Sequence, residues 1–164
     1  MTTVTLPTVP APPPSRDEAA PLPLPGHYTV APGRSLVELT AFYGPLPTRR
    51  RRVALAEASL TVSSDSARPV FRFAFADPRL KAVLTSEECL LHEGRLRLTG
   101  DLELNGVAFP VLLRLRVVER ADDRLLVVGT ARLPYRLLRR STGFRAGRLC
   151  PATRLRLLVA GEFS

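Results

Sequence analysis

The sequence predicts an all-β protein folded as an antiparallel eight-stranded barrel, and three observations carry that prediction. Apolar and polar residues alternate with a period of two along most of the chain, as a strand requires when one face meets a core and the other meets water. Turn residues separate these stretches at close spacing, and no convincing long amphipathic helix lies between them, so the crossovers of a parallel sheet are missing. Alternation suits a sandwich as well as a barrel, but only a closed barrel removes the edges that an open sheet leaves for aggregation.

Taken in order, residues 1–25 come first, with eight prolines and the ending "PLPLPG". That composition favours extended polyproline conformations and predicts a disordered proline-rich tail ahead of one β-barrel domain over 26–164. A chain of 164 residues suits one such domain. The early stretches "HYTVA", "SLVELTAFY", "VALAEASLTV" and "VFRFAFA" are short or uneven. In the last of them Phe71, Phe73 and Phe75 share one face, with Arg72 between them on the other. Asp77-Pro78 could start a helix with Leu80, Val83 and Leu84 on one side. Residues 78–91 are read as a turn followed by a strand.

The clearest strand is "GRLRLTGDLEL". Leu96, Leu98, Leu102 and Leu104 point one way and Arg95, Arg97, Thr99, Asp101 and Glu103 the other. Gly100 falls mid-strand on the inward side, where a missing side chain lets a strand bend or bulge. Asn105-Gly106 then predicts a type I′ hairpin, because both residues tolerate positive φ. The next strand sets Val111, Leu113, Leu115 and Val117 against Arg114 and Arg116. Pro110 lacks a ladder N–H and predicts a rim or bulge at its start. Asp122-Asp123 breaks the pattern; "RLLVVGTARLPY" and "TRLRLLVAGEF" resume it.

The composition narrows the function classes. No apolar run approaches the roughly 20 residues of a membrane-spanning helix, and "MTTVTLPTVPAPPPS" lacks the basic flank and apolar centre of a secretory signal. These features predict a cytoplasmic protein, in which Cys89 and Cys150 stay buried free thiols. The formal charge of +9 raises nucleic acid, anionic lipid or an acidic ligand as partners. Only Lys81 among the 24 basic residues is a lysine, which reads more simply as a coding bias than as selection for phosphate-binding forks.

Three segments together resemble the YceI-like, polyisoprenoid-binding, lipocalin-like family. "RLTGDLELNGVAFPVLLRLRV" resembles its succession of a Gly-led strand, a Gly-Val turn and a Pro-Val strand. "GHYTVAPGRSLVELTAF" is similar to its opening strands, with Ser35 and Val37 at matching places. "GTARLPYRLLRRSTGF" is similar to its penultimate strand and arginine-bearing turn. The resemblance implies a lipocalin-like barrel whose apolar channel takes an isoprenoid or another long amphiphile, without catalysis and without a cofactor other than such a lipid. Family members carry a helical insertion between the fourth and fifth strands; here "FADPRLKAVLTSEECLLHEG" stands in that place with fewer residues. Tyr43-Gly44-Pro45 stands where the family has a His-containing motif. These departures mark a divergent, shortened member.

The residues that could do chemistry are few. His27 and His92 lie 65 positions apart, and no HExxH, CxxC, GxSxG or phosphate-loop pattern occurs. Both histidines read as exposed strand-end residues, and Glu87-Glu88 and Asp122-Asp123 as solvated pairs. No catalytic residue and no metal ligand is assigned, and the protein is expected not to be an enzyme. The candidate ligand-binding wall is Phe71, Phe73, Phe75, Leu96, Leu98, Leu102, Leu104, Leu113 and Leu115, a set that is core packing if the barrel is solid and lining if it is hollow. Two arginine clusters remain, Arg49–Arg52 and Arg136, Arg139, Arg140, Arg145 and Arg148. At one barrel mouth, Arg139, Arg140 and Arg145 would form a head-group rim; the alternative is a solvated rim. The second functional reading is a basic barrel that binds nucleic acid or an acidic protein. Scattered tyrosines and the lack of Trp disfavour nucleic acid. A homodimer stays open.

Overall fold

The alternating segments become nine strands and one short helix: β1 (Gly26–Tyr43), β2 (Leu46–Arg52), β3 (Leu55–Val62), β4 (Val70–Asp77), β5 (Leu80–His92), β6 (Arg95–Leu104), β7 (Val107–Arg120), β8 (Leu125–Leu133), α1 (Tyr135–Thr142) and β9 (Arg154–Phe163). The structure is a computed structural model describing residues 22–64, 68–77, 80–92, 95–147 and 152–164. Residues 1–21, most of the predicted tail, and Cys150 lie outside the described residues.

Every neighbouring pair is antiparallel, and β1 pairs with β9 to close the sheet. Nine segments make eight staves because β2 and β3 lie along the same edge of β1. β2 meets Glu38–Tyr43 and β3 meets Gly26–Thr29. "HYTVA" and "SLVELTAFY" are thus one strand with an irregularity between Val30 and Ser35. The inward residues of every strand but β2 meet in one continuous apolar core, so the two-residue period of the sequence is the inside–outside alternation of the barrel wall.

The local predictions at β6 and β7 hold. Asn105 (φ 53°) and Gly106 (φ 77°) both take the left-handed backbone of the two-residue turn. A Cβ on Gly100 would lie 2.0 Å from the Thr85 carbonyl oxygen, so β5 crosses here closer than any side chain allows. The bulge lies on the partner strand: the β5–β6 register shifts between Ser86 and Glu88, opposite Gly100. Pro110 pairs with Asp101 of β6, while the β7–β8 pairing begins only at Leu113, so the proline stands at a rim.

Three features add to the sequence reading. Arg49–Arg52 belong to strand β2, so their side chains alternate between faces. Arg51 forms an ion pair with Asp77 at 3.1 Å. The connection before β9 contains α1, capped by left-handed Gly143, whose N–H donates to the Arg139 carbonyl at 3.1 Å. The barrel is also already covered by Leu22 and Pro23: Leu22 packs on the core, the Leu24 N–H donates to the Asp122 carbonyl at 3.2 Å, and the Tyr28 hydroxyl donates to the Leu24 carbonyl at 2.6 Å.

Candidate functional site

All nine residues of the predicted wall point inward and are buried. The structure brings them into one interior, but it does not leave a channel between them. Phe71 and Phe73 stack with ring centres 6.4 Å apart, and Phe163 meets both edge-on at 5.7 and 6.1 Å. These rings fill the bore at one level. The void that remains in this interior, about 10 Å³, is about the space of one water molecule, against roughly 300 Å³ or more for a drug-sized ligand. Of the two cases left open, core packing and lining, the described residues fit core packing at this level: an eight-stranded barrel is narrow enough for its own side chains to fill it, and three phenylalanines pack against one another across it.

The void lies among Phe71, Phe73, Ser86, Gly100, Val111 and Leu113. Phe71, Phe73, Leu98 and Leu113 of the predicted wall border it; Phe75, Leu96, Leu102, Leu104 and Leu115 pack elsewhere in the core. Gly100 contributes by withholding a side chain. Ser86 was not anticipated, since only the register of β5 against β6, where it stands opposite Gly100, shows that it faces inward.

Beside this void the barrel seam is broken. The β4–β5 ladder runs from Asp77↔Leu80 to Arg72↔Thr85, and from Ser86 onward β5 pairs only with β6 among the described residues. Where the next ladder bond would fall, the Phe71 N–H donates to the Ser86 hydroxyl oxygen at 2.8 Å. One side-chain oxygen thus closes the gap in front of the void. Further along β5, Cys89 is a half-buried free thiol packed against the core, and burial pushes its pKa up to about 11. The exposed pair Glu87-Glu88 lies at the bulge.

The two ends of the barrel differ. Strand direction puts α1, the β1–β2 turn and the β6–β7 turn at one end. There Tyr135, Leu138 and Phe144 are buried and plug the interior. Between β4 and β5, where the sequence reading placed a shortened covering segment, the strands pair as a hairpin. Arg139, Arg140 and Arg145 are exposed at the plugged end, which also carries β2, so both arginine clusters share one end, away from the seam. Arg148 lies outside the described residues.

His27 is exposed at a strand end, its Nδ1 3.1 Å from the Thr61 hydroxyl; the side chain of His92 lies outside the described residues. Asp122-Asp123 is exposed at the β7–β8 bend. Among the described residues no group of three or more His, Cys, Asp or Glu side chains converges as a metal site, and no helix is long and apolar enough to cross a membrane.

The fold defines the class as a closed antiparallel eight-stranded barrel with an apolar interior. Among solved structures the chain is similar to that of BcnA from Burkholderia cenocepacia, with a TM-score of 0.54, 12% identity and coverage of 81% of this chain and 98% of that one. At that identity the likeness is one of fold. No protein-family model matches the chain, and no curated protein matches its sequence.

Proposed function

We propose that the protein is a divergent YceI-like, non-enzymatic barrel that sequesters an apolar chain, an isoprenoid or a similar long amphiphile, after its seam opens. The observation that carries this reading is the coincidence of the broken β4–β5 seam with the void behind it. Among the described residues the hydrogen bond from Phe71 to Ser86 holds the strands at that point, where a run of ladder pairs holds them from Arg72 to Asp77. Behind it the wall is apolar, so a guest would gain roughly 25 cal/mol for each Å² of apolar surface removed from water. The barrel must expand by several hundred Å³ to take such a guest, which requires Phe71 and Phe73 to swing from their stack. Likeness of fold to a barrel of the same design supports the reading without naming a ligand.

Native mass spectrometry with added geranylgeraniol tests it. A one-to-one adduct, with slower maleimide labelling of Cys89 in a Cys150→Ser background, is the expected result. A clean apo mass at saturating alcohol, with Cys89 labelling unchanged, would overturn the proposal and leave the interior as core alone.

A further inference from the structure

The outer wall carries a pattern that the interior does not explain. Register puts Arg95 directly opposite Arg116 and Arg97 opposite Arg114 across β6 and β7, and Arg132 opposite Arg156 across β8 and β9. All six are exposed. Like charges directly opposite on neighbouring strands destabilise a sheet, yet none of the six has a carboxylate partner among the described residues; the ion pairs there use Arg34, Arg51, Arg72 and Arg124. A coding bias accounts for arginine in place of lysine. It does not account for three facing pairs on one side of the barrel.

Five of the six border a groove, and Arg97 stands beside it, opposite Arg114. Two adjoining hollows of about 360 and 510 Å³ share Arg114 and Thr130. Their floor includes Leu112, Val128 and Val118, the last 55% exposed. Arg156 is held over the Phe42 ring at 5.1 Å, which fixes its direction beside the groove. Glu38 on β1, diagonal to Arg156 of β9, accepts a hydrogen bond from the Thr40 hydroxyl at 3.1 Å.

We propose that this groove binds the phosphate backbone of a single-stranded nucleic acid without base preference. Planar guanidinium forks grip phosphate through paired hydrogen bonds. Alternate residues of a strand recur every 6.6–6.8 Å or so, a step that an extended phosphate chain can follow. The apolar floor gives sugars and bases a surface that inorganic polyphosphate would not use, and guanidinium planes can stack on bases. A flat bilayer would touch the rims of a groove and miss its floor. Contacts of this kind to phosphate position a strand without reading its sequence, and the lining of the groove carries no aromatic side chain. This inference is independent of the interior reading.

Fluorescence anisotropy with a labelled mixed-sequence 20-mer tests it, using the Arg97→Gln/Arg114→Gln/Arg132→Gln variant and, as a charge-matched control, Arg139→Gln/Arg140→Gln/Arg145→Gln. Removal of facing like charges should leave the groove variant's Tm equal or higher, so loss of binding cannot be blamed on unfolding. The groove variant should lose at least tenfold in affinity, and its log–log salt slope should fall by about 2, from about 0.7 per phosphate contact. The control should lose less than threefold. Equal loss in both variants, tighter binding of polyphosphate than of the 20-mer, or a preference for phosphatidylglycerol vesicles would each overturn the proposal.

Discussion

Two glycines decide how tightly this barrel coils, for a reason visible at atomic distances. A Cβ at Gly100 would sit 2.0 Å from the Thr85 oxygen, and one at Gly129 would sit 2.3 Å from the Arg114 oxygen. Both obstacles are backbone, so neither can rotate away. Gly100→Ala and Gly129→Ala should therefore each cost about 3 kcal/mol or more, at the upper end of overpacking penalties. At this chain length that is a fall in Tm of roughly 10 °C, measured by thermal melts. Phe73→Ala acts in the opposite sense, leaving a hole where 1% of the residue was exposed. It should cost about 3–5 kcal/mol, and denaturant titration with an unchanged m-value would show that only stability had moved. Gly100 was legible in the sequence because a glycine interrupts an otherwise regular inward row. The role of Gly129 was not, since its clash is with a neighbouring strand whose register the sequence does not display.

Elements add constraints that single residues do not reveal. The Ser86 hydroxyl holds the end of β4 to β5, so Ser86→Ala leaves the Phe71 N–H without its partner. This should cost about 1–3 kcal/mol, and hydrogen exchange should speed at Phe71 before it does at Phe73. At the opposite seam, Arg34 of β1 holds Glu162 of β9 with contacts of 2.8 and 3.0 Å, and Arg124 adds a third at 3.5 Å. The Arg34 hydrogen bond, with charge from both arginines, holds the Glu162 carboxyl below its ordinary range. A depressed carboxylate stabilises the fold above its unfolded pKa and loses that contribution as pH falls through the folded value. Glu162→Gln should therefore lower Tm at pH 7, and the gap to wild type should close in acid. The late strands were readable because each carries four or five inward apolar residues in strict alternation. β2 was not, because "LPTRRRR" has no apolar face and becomes a strand only by pairing with β1. α1 has only eight residues, too few for a helical period to rise above the alternation around it.

For the whole molecule, closure and charge were legible and occupancy was not. A row of inward phenylalanines looks the same in a sequence whether it lines a bore or plugs it; ring geometry decides. The surplus of positive charge has a direct consequence. Raising salt from about 0.01 to 0.2 M shortens the screening length from roughly 30 Å to under 10 Å, which weakens repulsion among the facing arginines. Tm should rise over that range, and should rise less in the Arg97→Gln/Arg114→Gln/Arg132→Gln variant. The stretch of β5 from Ser86 onward, which pairs only with β6 among the described residues, also has a cost away from any ligand. Its backbone groups offer a template to a visiting strand, and the two neighbouring glutamates, Glu87 and Glu88, are exposed charges standing guard on it. Neutralising that guard with Glu87→Gln/Glu88→Gln should promote self-association through this strip, with fibrils as its end product, as light scattering of the concentrated protein would show.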